Sequence, residues 1–253
     1  MALAHRPFFL TAFALTACGP IEEEEGILGN GDFVYTCISW QDPSCADVTS
    51  LGPSESLPFP AKIAFGGRFG LAYSTEPGSF WGIPGNVQPA SSDWLSYEGP
   101  DPYYTAMRVG QPWVVATDSD GGLEDMVSLT IAPIASITIA AAKAPVYVIQ
   151  WGPTPPPMPD VAGTTHTFAA IAHDADGTPL AGDVLYSWAS SDPSVLSIVG
   201  TGAESLSDSV TVEYVAGGTA ALYAWTSTAQ GSITLTVPGG SSTDDAGAEA
   251  GAP

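Results

Sequence analysis

Ser232-Ile233-Thr234-Leu235-Thr236-Val237 sets Ile233, Leu235 and Val237 on one side of an extended chain and the serine and two threonines on the other. Successive side chains of a strand point to opposite faces, so this is the pattern of a strand with one face in a core and one in water. A twin, Val127-Ser128-Leu129-Thr130-Ile131, stands earlier in the chain. Working back from the two, Ser91-Ser92-Asp93 with Leu95-Ser96-Tyr97 answers Ser190-Ser191-Asp192 with Leu196-Ser197-Ile198. Val109-Gly110 before Trp113-Val114-Val115-Ala116 answers Ala216-Gly217 before Ala220-Ala221-Leu222-Tyr223-Ala224. The repeat spacing is about 100 residues, the size of one β-sandwich. Alternating segments recur between clusters of Gly, Pro, Asn and Asp, and no window keeps a helical period. The chain is predicted to be all-β, in two related halves.

The second half carries a resemblance. His166-Thr167-Phe168-Ala169-Ala170-Ile171-Ala172-His173-Asp174-Ala175-Asp176-Gly177, then Leu180 to Val184, Tyr186-Ser187-Trp188 through Val195, a Gly217-Gly218-Thr219-Ala220 turn and the closing Thr234 to Val237 follow one another in order. Together they resemble the bacterial immunoglobulin-like domains of the group 2 type. The resemblance implies an immunoglobulin-like β-sandwich over 134–238, with Phe168, Trp188, Leu196, Ile198, Leu235 and Val237 facing inward, and a weaker one over 51–133. An insertion, Trp151-Gly152-Pro153-Thr154-Pro155-Pro156-Pro157-Met158-Pro159, belongs to an edge or loop because its prolines cannot donate to a ladder. A partner that reads polyproline conformation is the alternative use of that segment.

At the start, Arg6, an apolar run from Phe8 to Ala14 and Leu15-Thr16-Ala17-Cys18 form a short export signal ending on a cysteine. This resembles the lipobox of bacterial lipoproteins, which implies that 1–17 is removed and that Cys18 carries the lipid. The apolar run is far shorter than the roughly 20 residues needed to cross a bilayer, so lipid would be the anchor. Residues 18–50, with Glu22-Glu23-Glu24-Glu25 in a Gly-rich setting, read as a flexible acidic tether. Residues 239–253 read as a disordered tail. Cys37 and Cys45 remain as a pair in an exported chain, and a disulfide is the expectation. Closing so short a loop contributes roughly 2.5 kcal/mol by the chain-entropy model.

The chain has 27 acidic and 5 basic residues, a net charge of −22. Beyond the signal the only cations are Lys62, Arg68, Arg108 and Lys143. Scattered cations cannot neutralise a phosphate backbone, so nucleic acid is excluded as a partner. The charge favours solubility and leaves a weak divalent cation or a cationic partner open. No cofactor is implied.

Candidate chemistry is sparse. Asp118-Ser119-Asp120-Gly121 with Glu124 and Asp125, and Asp174-Ala175-Asp176-Gly177 with Asp183, suggest calcium, yet both fail the EF-hand ligand template. Asp-Gly is also a favoured hairpin tip, and a turn is the expectation. His166 and His173 fall on opposite faces of one strand and cannot share a substrate or a metal. The adjacent carboxylates Glu124 and Asp125 make poor geometry for glycoside hydrolysis. Gly26 to Gly31 is Gly-rich without a lysine to meet a phosphate. Aromatics crowd the first half at Phe80-Trp81, Trp94, Tyr97 and Tyr103-Tyr104, and are expected to be mostly core, with a binding surface as the alternative. The expected protein is an exported, lipid-anchored component of the cell envelope, at the outer membrane or cell surface. Its sandwiches act in binding, adhesion or as a spacer, without enzymatic chemistry. An unidentified protein or glycan ligand, and a carbohydrate-binding or enzyme-accessory module, complete the alternatives.

Overall fold

The structure, a computed structural model, describes residues 24–45, 59–75, 86–98, 103–142, 161–199 and 206–239. The signal and Cys18, Phe80-Trp81, the proline-rich 151–159 and all but the first residue of the 239–253 tail lie outside them.

The first half runs β1 (Glu24–Glu25), β2 (Asp32–Thr36), β3 (Ile63–Ala64), β4 (Arg68–Ser74), β5 (Asn86–Pro89), β6 (Leu95–Glu98), β7 (Tyr103–Ala106), β8 (Trp113–Thr117), β9 (Leu123–Ser128) and β10 (Ile131–Ala132). The second runs β11 (Ser136–Ala141), β12 (Thr165–His173), β13 (Ser187–Ser190), β14 (Leu196–Val199), β15 (Ser209–Tyr214), β16 (Gly218–Trp225) and β17 (Gln230–Val237). Strand order in the second half is β11-β12-β15-β14 in one sheet and β13-β16-β17 in the other. The first half repeats it as β2-β4-β7-β6 and β5-β8-β9, with β1 added at the edge beside β2. Four strands facing three, in this order, is the constant-type immunoglobulin arrangement. Both halves are immunoglobulin-like sandwiches.

In the second sandwich the alternation of β17 is as its sequence predicts, with Ser232, Thr234 and Thr236 exposed and Val237 buried. The 127–131 twin is not one strand: β9 ends at Ser128, β10 starts at Ile131, and the Leu129 N–H turns to Pro112 O at 2.9 Å while its side chain stays in the core. Trp188, 4% exposed, sits among Phe168, Leu196, Val212 and Leu222, and its indole N–H donates to Ser207 O at 2.9 Å. In the first sandwich no tryptophan occupies β5. Tyr104 of β7 is buried instead, with its hydroxyl donating to Val87 O at 2.6 Å and its ring 6.0 Å from that of Phe69.

The tether expected over 18–50 is corrected over 24–45. β2 pairs antiparallel with β4 along five residues, and Phe33 and Tyr35 are 0% and 1% exposed. Phe33 packs on Tyr73 and Tyr35 on Phe69, at ring distances of 4.9 and 5.8 Å. The first sandwich therefore starts well before residue 51, because its first strand lies here. Glycines and glutamates dominate the composition around it, but a strand needs only five residues, and Asp32-Phe33-Val34-Tyr35-Thr36 supplies them.

The turn between β1 and β2 is fixed by a carboxylate from the far end of the domain. Asp125 of β9, 0% exposed, accepts from Leu28 N at 2.8 Å and Asn30 N at 2.9 Å, while Asn30 Nδ2 donates to Glu124 O at 2.6 Å. Ile27 N donates to Met126 O at 2.9 Å. Gly26 is required by close approach, since a Cβ there would collide with the Asp125 carboxyl. The Gly26–Gly31 loop is thus a backbone cradle for an anion, and the anion is internal. Burial pushes the Asp125 carboxyl up, but hydrogen bonds from Leu28, Met126, Asn30 and Gly31 outweigh it and hold the pKa below the usual range.

Two outcomes are expected. Trp188→Ala removes a buried indole and should cost about 3 to 5 kcal/mol, read as a loss of midpoint in chemical denaturation of the full chain. Asp125→Ala should cost roughly 1.5 to 3 kcal/mol, because the Leu28, Asn30 and Met126 N–H groups lose a charged acceptor. Since the folded Asp125 pKa is depressed, its contribution is in place above the unfolded value near 3.9 and is lost as pH falls through the folded one. Protection factors at Leu28 and Asn30, the exchange rates taken relative to the intrinsic rate at each pH, should fall on acidification in the parent. In Asp125→Ala they should be low at every pH, and protection that tracks pH equally in both proteins would remove Asp125 from the account.

Candidate functional site

The described residues that carry the most organised polar chemistry lie where the two sandwiches meet. Cys37 and Cys45 are joined in a disulfide with Cα atoms 6.4 Å apart, closing a loop directly after β2 that ends in a 3-10 turn at Pro43–Cys45. Inside the loop Asp42 is 1% exposed. Its Oδ2 accepts from the Tyr35 hydroxyl at 2.6 Å and from Gly182 N of the second sandwich at 3.0 Å, and its Oδ1 from Ser44 N at 2.9 Å. A second contact across the joint links the Ser39 hydroxyl to the Asp208 carboxylate. Burial pushes the Asp42 carboxyl above its ordinary value, against the pull of its three donors. Burial, and then the Asp42 charge, push the Tyr35 phenol well up.

Backbone continues the join. Ala64 N donates to Ala181 O at 2.9 Å and Ala181 N to Lys62 O at 3.0 Å; Arg68 N donates to Asp183 O at 2.9 Å and Asp183 N to Arg68 O at 2.7 Å. Each bond is worth about 1 kcal/mol net, and none can form if the domains swing apart. The cores also exchange residues: Ala64 packs into the second sandwich's cluster and Ala181 into the first's. Two cations close the rim. Lys62 pairs with Asp174, with Asp176 at 3.7 Å, and Arg68 Nη1 lies 3.4 Å from Asp183 Oδ2. The hydrogen bond from Lys62, followed by the N–H of Thr178, holds Asp174 below the usual carboxylate range, and Lys62 is raised in return.

The positions singled out in the sequence fall mostly into structural roles. Asp174 Oδ1 accepts from Asp176 N at 3.0 Å and Thr178 N at 2.9 Å, and Gly177 takes φ 78°, so the segment is a hairpin turn that a carboxylate stabilises from within. Asp118 Oδ1 does the same for Asp120 N and Gly122 N, at 2.9 and 2.7 Å. Asp125 is committed to its own cradle and is no partner for Glu124 in hydrolysis. His166 stacks on Tyr214 at 4.5 Å, while His173 meets the Thr138 hydroxyl at 2.8 Å and Gly177 O at 3.0 Å. They occupy the same nine-residue strand seven positions apart, hence opposite faces. Among the described residues one cluster has metal-ligand spacing, Cys37, Asp42 and Cys45; its sulfurs bond each other and its carboxylate is taken by three donors. Of the aromatics, Tyr104 is core, Tyr97 is 54% exposed, and Trp94 carries the Arg108 guanidinium 4.9 Å from its ring centroid. Sequence reasoning missed Asp42, Gly182 and the pairing of Lys62 and Arg68 across the joint. The signal for the last was present, because two cations six residues apart in so acidic a chain will find carboxylates.

No protein-family model matches the chain, and no curated protein matches it. Among solved structures it is similar to the surface-layer protein SbsC, domains 1–6, at 16% identity over 60% of this chain and 19% of that one, with a TM-score of 0.28. It is similar to FdeC, an Escherichia coli adhesin, at 15% identity over 71% of this chain and 62% of that one, with a TM-score of 0.28. A third similar structure is a C-terminal fragment of intimin in complex with the intimin-binding domain of its receptor, at 14% identity, 70% and 61% coverage, and a TM-score of 0.26. The chain thus spans about a fifth of the SbsC structure. Superpositions this loose carry no argument, and the fold assignment rests on the strand order given above.

Proposed function

We propose that the chain is an exported, lipid-anchored envelope protein that presents its two sandwiches as one stiff body, acting in adhesion or as a structural spacer without catalytic chemistry. The observation that carries this reading is the joint. Tandem domains in one chain ordinarily move relative to each other. Here four backbone hydrogen bonds, a buried carboxylate and exchanged core alanines oppose that motion. Stiffness is useful to a protein whose task is to hold a surface at a fixed distance, and costs nothing to one that performs no lid closure. The disulfide supports export, since such bonds persist in oxidising compartments. Attachment is assigned to Cys18 on the sequence around it, and lipid at that point would place the first sandwich nearest the membrane.

Two measurements test the reading. Cys18→Ala should move the protein from the membrane fraction to the soluble one and abolish labelling by a clickable fatty acid; unchanged membrane association would refute the anchor. Small-angle scattering should give a single maximum dimension for the parent that does not broaden in moderate salt. Asp42→Ala, which deprives Tyr35, Ser44 and Gly182 of their acceptor, should loosen the joint and cost roughly 2 to 4 kcal/mol. An Asp42→Ala chain as compact and as stable as the parent would refute the stiff joint while leaving the anchor standing.

A further inference from the structure

The outward face of the β13-β16-β17 sheet joins two aromatic rings to a row of hydroxyl side chains. On the middle strand Leu222 and Ala224 are 0% exposed and point into the core, so Tyr223 and Trp225 leave on the opposite side. Two residues apart, they stand about 7 Å from each other along the strand. Across the ladder Trp225 is flanked by Ser187 and Gln230, and Tyr223 by Ala189 and Ser232. The exposed Thr234 and Thr236 continue the row. None of these positions is charged, in a chain with 27 acidic residues.

The face runs into a cleft between the sandwiches of about 510 Å³. Trp225 and the Thr226-Ser227-Thr228 turn form one wall, and Phe65 and Arg68 of the first sandwich the other. The guanidinium of Arg68 is already paired with Asp183, and among the described residues no carboxylate lines the cleft. The volume lies within the roughly 300–1,000 Å³ of small-molecule sites.

We propose that this face and cleft bind a neutral polysaccharide. Flat rings pack against the apolar C–H faces of sugar rings, and hydroxyl and amide side chains exchange hydrogen bonds with sugar hydroxyls. Other occupants fit less well. An anionic polymer is repelled by the net charge of −22, and a cationic one finds no carboxylate here although the rest of the surface is rich in them. An apolar protein surface would bury rows of serine and threonine hydroxyls without partners. The inference goes beyond the anchored-spacer reading and does not need it, because every residue in it belongs to the folded body.

Native affinity electrophoresis of the full chain tests it, in gels containing mixed-linkage β-glucan, galactomannan, xylan, amylopectin or dextran, with alginate as the anionic contrast. The expected result is retardation by at least one neutral polymer and none by alginate. Trp225→Ala and Tyr223→Ala should weaken retardation at least tenfold, and Tyr97→Ala, exposed on the other sandwich, should not. Ser232→Arg, at an exposed position where it would cover the rings without disturbing the core, should also abolish retardation. Mobility unaffected by every neutral polymer would overturn the proposal and leave the face to a protein partner. Equal retardation of the parent, Trp225→Ala and Ser232→Arg would overturn the assignment to this face.

Discussion

One carboxylate holds the two halves of the molecule in register. Asp42 is buried where burial is unfavourable to its charge, and it remains there because three donors from two domains converge on it. A buried acceptor with its full complement of partners is well placed, and one with a partner missing is not. The arrangement therefore has a steep optimum. Gly182 must stand at one position relative to Tyr35, and the backbone bonds at Ala64, Ala181, Arg68 and Asp183 form around that same geometry. The disulfide limits the conformations of the loop that presents Asp42, so the carboxylate is delivered already oriented.

Sequence reasoning succeeded where the physics is local. The alternation in 232–237 names a strand and its inner face, and the resemblance carried by the short motifs of the second half implied an inward Trp188, which is 4% exposed. The two acidic turns were legible for the same reason, since a carboxylate that bonds N–H groups two and four residues ahead is a short-range device. What failed was long-range. β2 is five residues long beside an acidic run, and nothing nearby announces that its partner β4 begins at residue 68. Leu28 and Asp125 are 97 positions apart, and Asp42 and Gly182 140. A glycine-rich loop that cradles a carboxylate looks, in sequence, like a loop with nothing to hold.

The charge distribution follows the same division of labour. Among the described residues, Asp42, Asp125, Asp174 and Asp183 are buried and serve as acceptors. Three of the four cations beyond residue 17 are placed by the structure: Lys62 and Arg68 bridge the domains, and Arg108 covers an indole. In a chain so negative, a cation is a scarce group, and each of these is located where it offsets a specific carboxylate or an aromatic face.

The cradle at Asp125 also orders events as the chain is made. A chain that emerges amino end first exposes Phe33 and Tyr35 long before Val114, Val127 and Leu129, the residues that close the core around them. Cys37 and Cys45 are only eight positions apart, so their loop is complete while the sandwich behind it is still unfinished. The first domain then closes only when residue 125 has arrived, and the loop waits with Asp42 uncovered until Gly182 follows. Assembly is thus vectorial, and the surface that ends up most deeply hidden between the domains is among the first to be shaped.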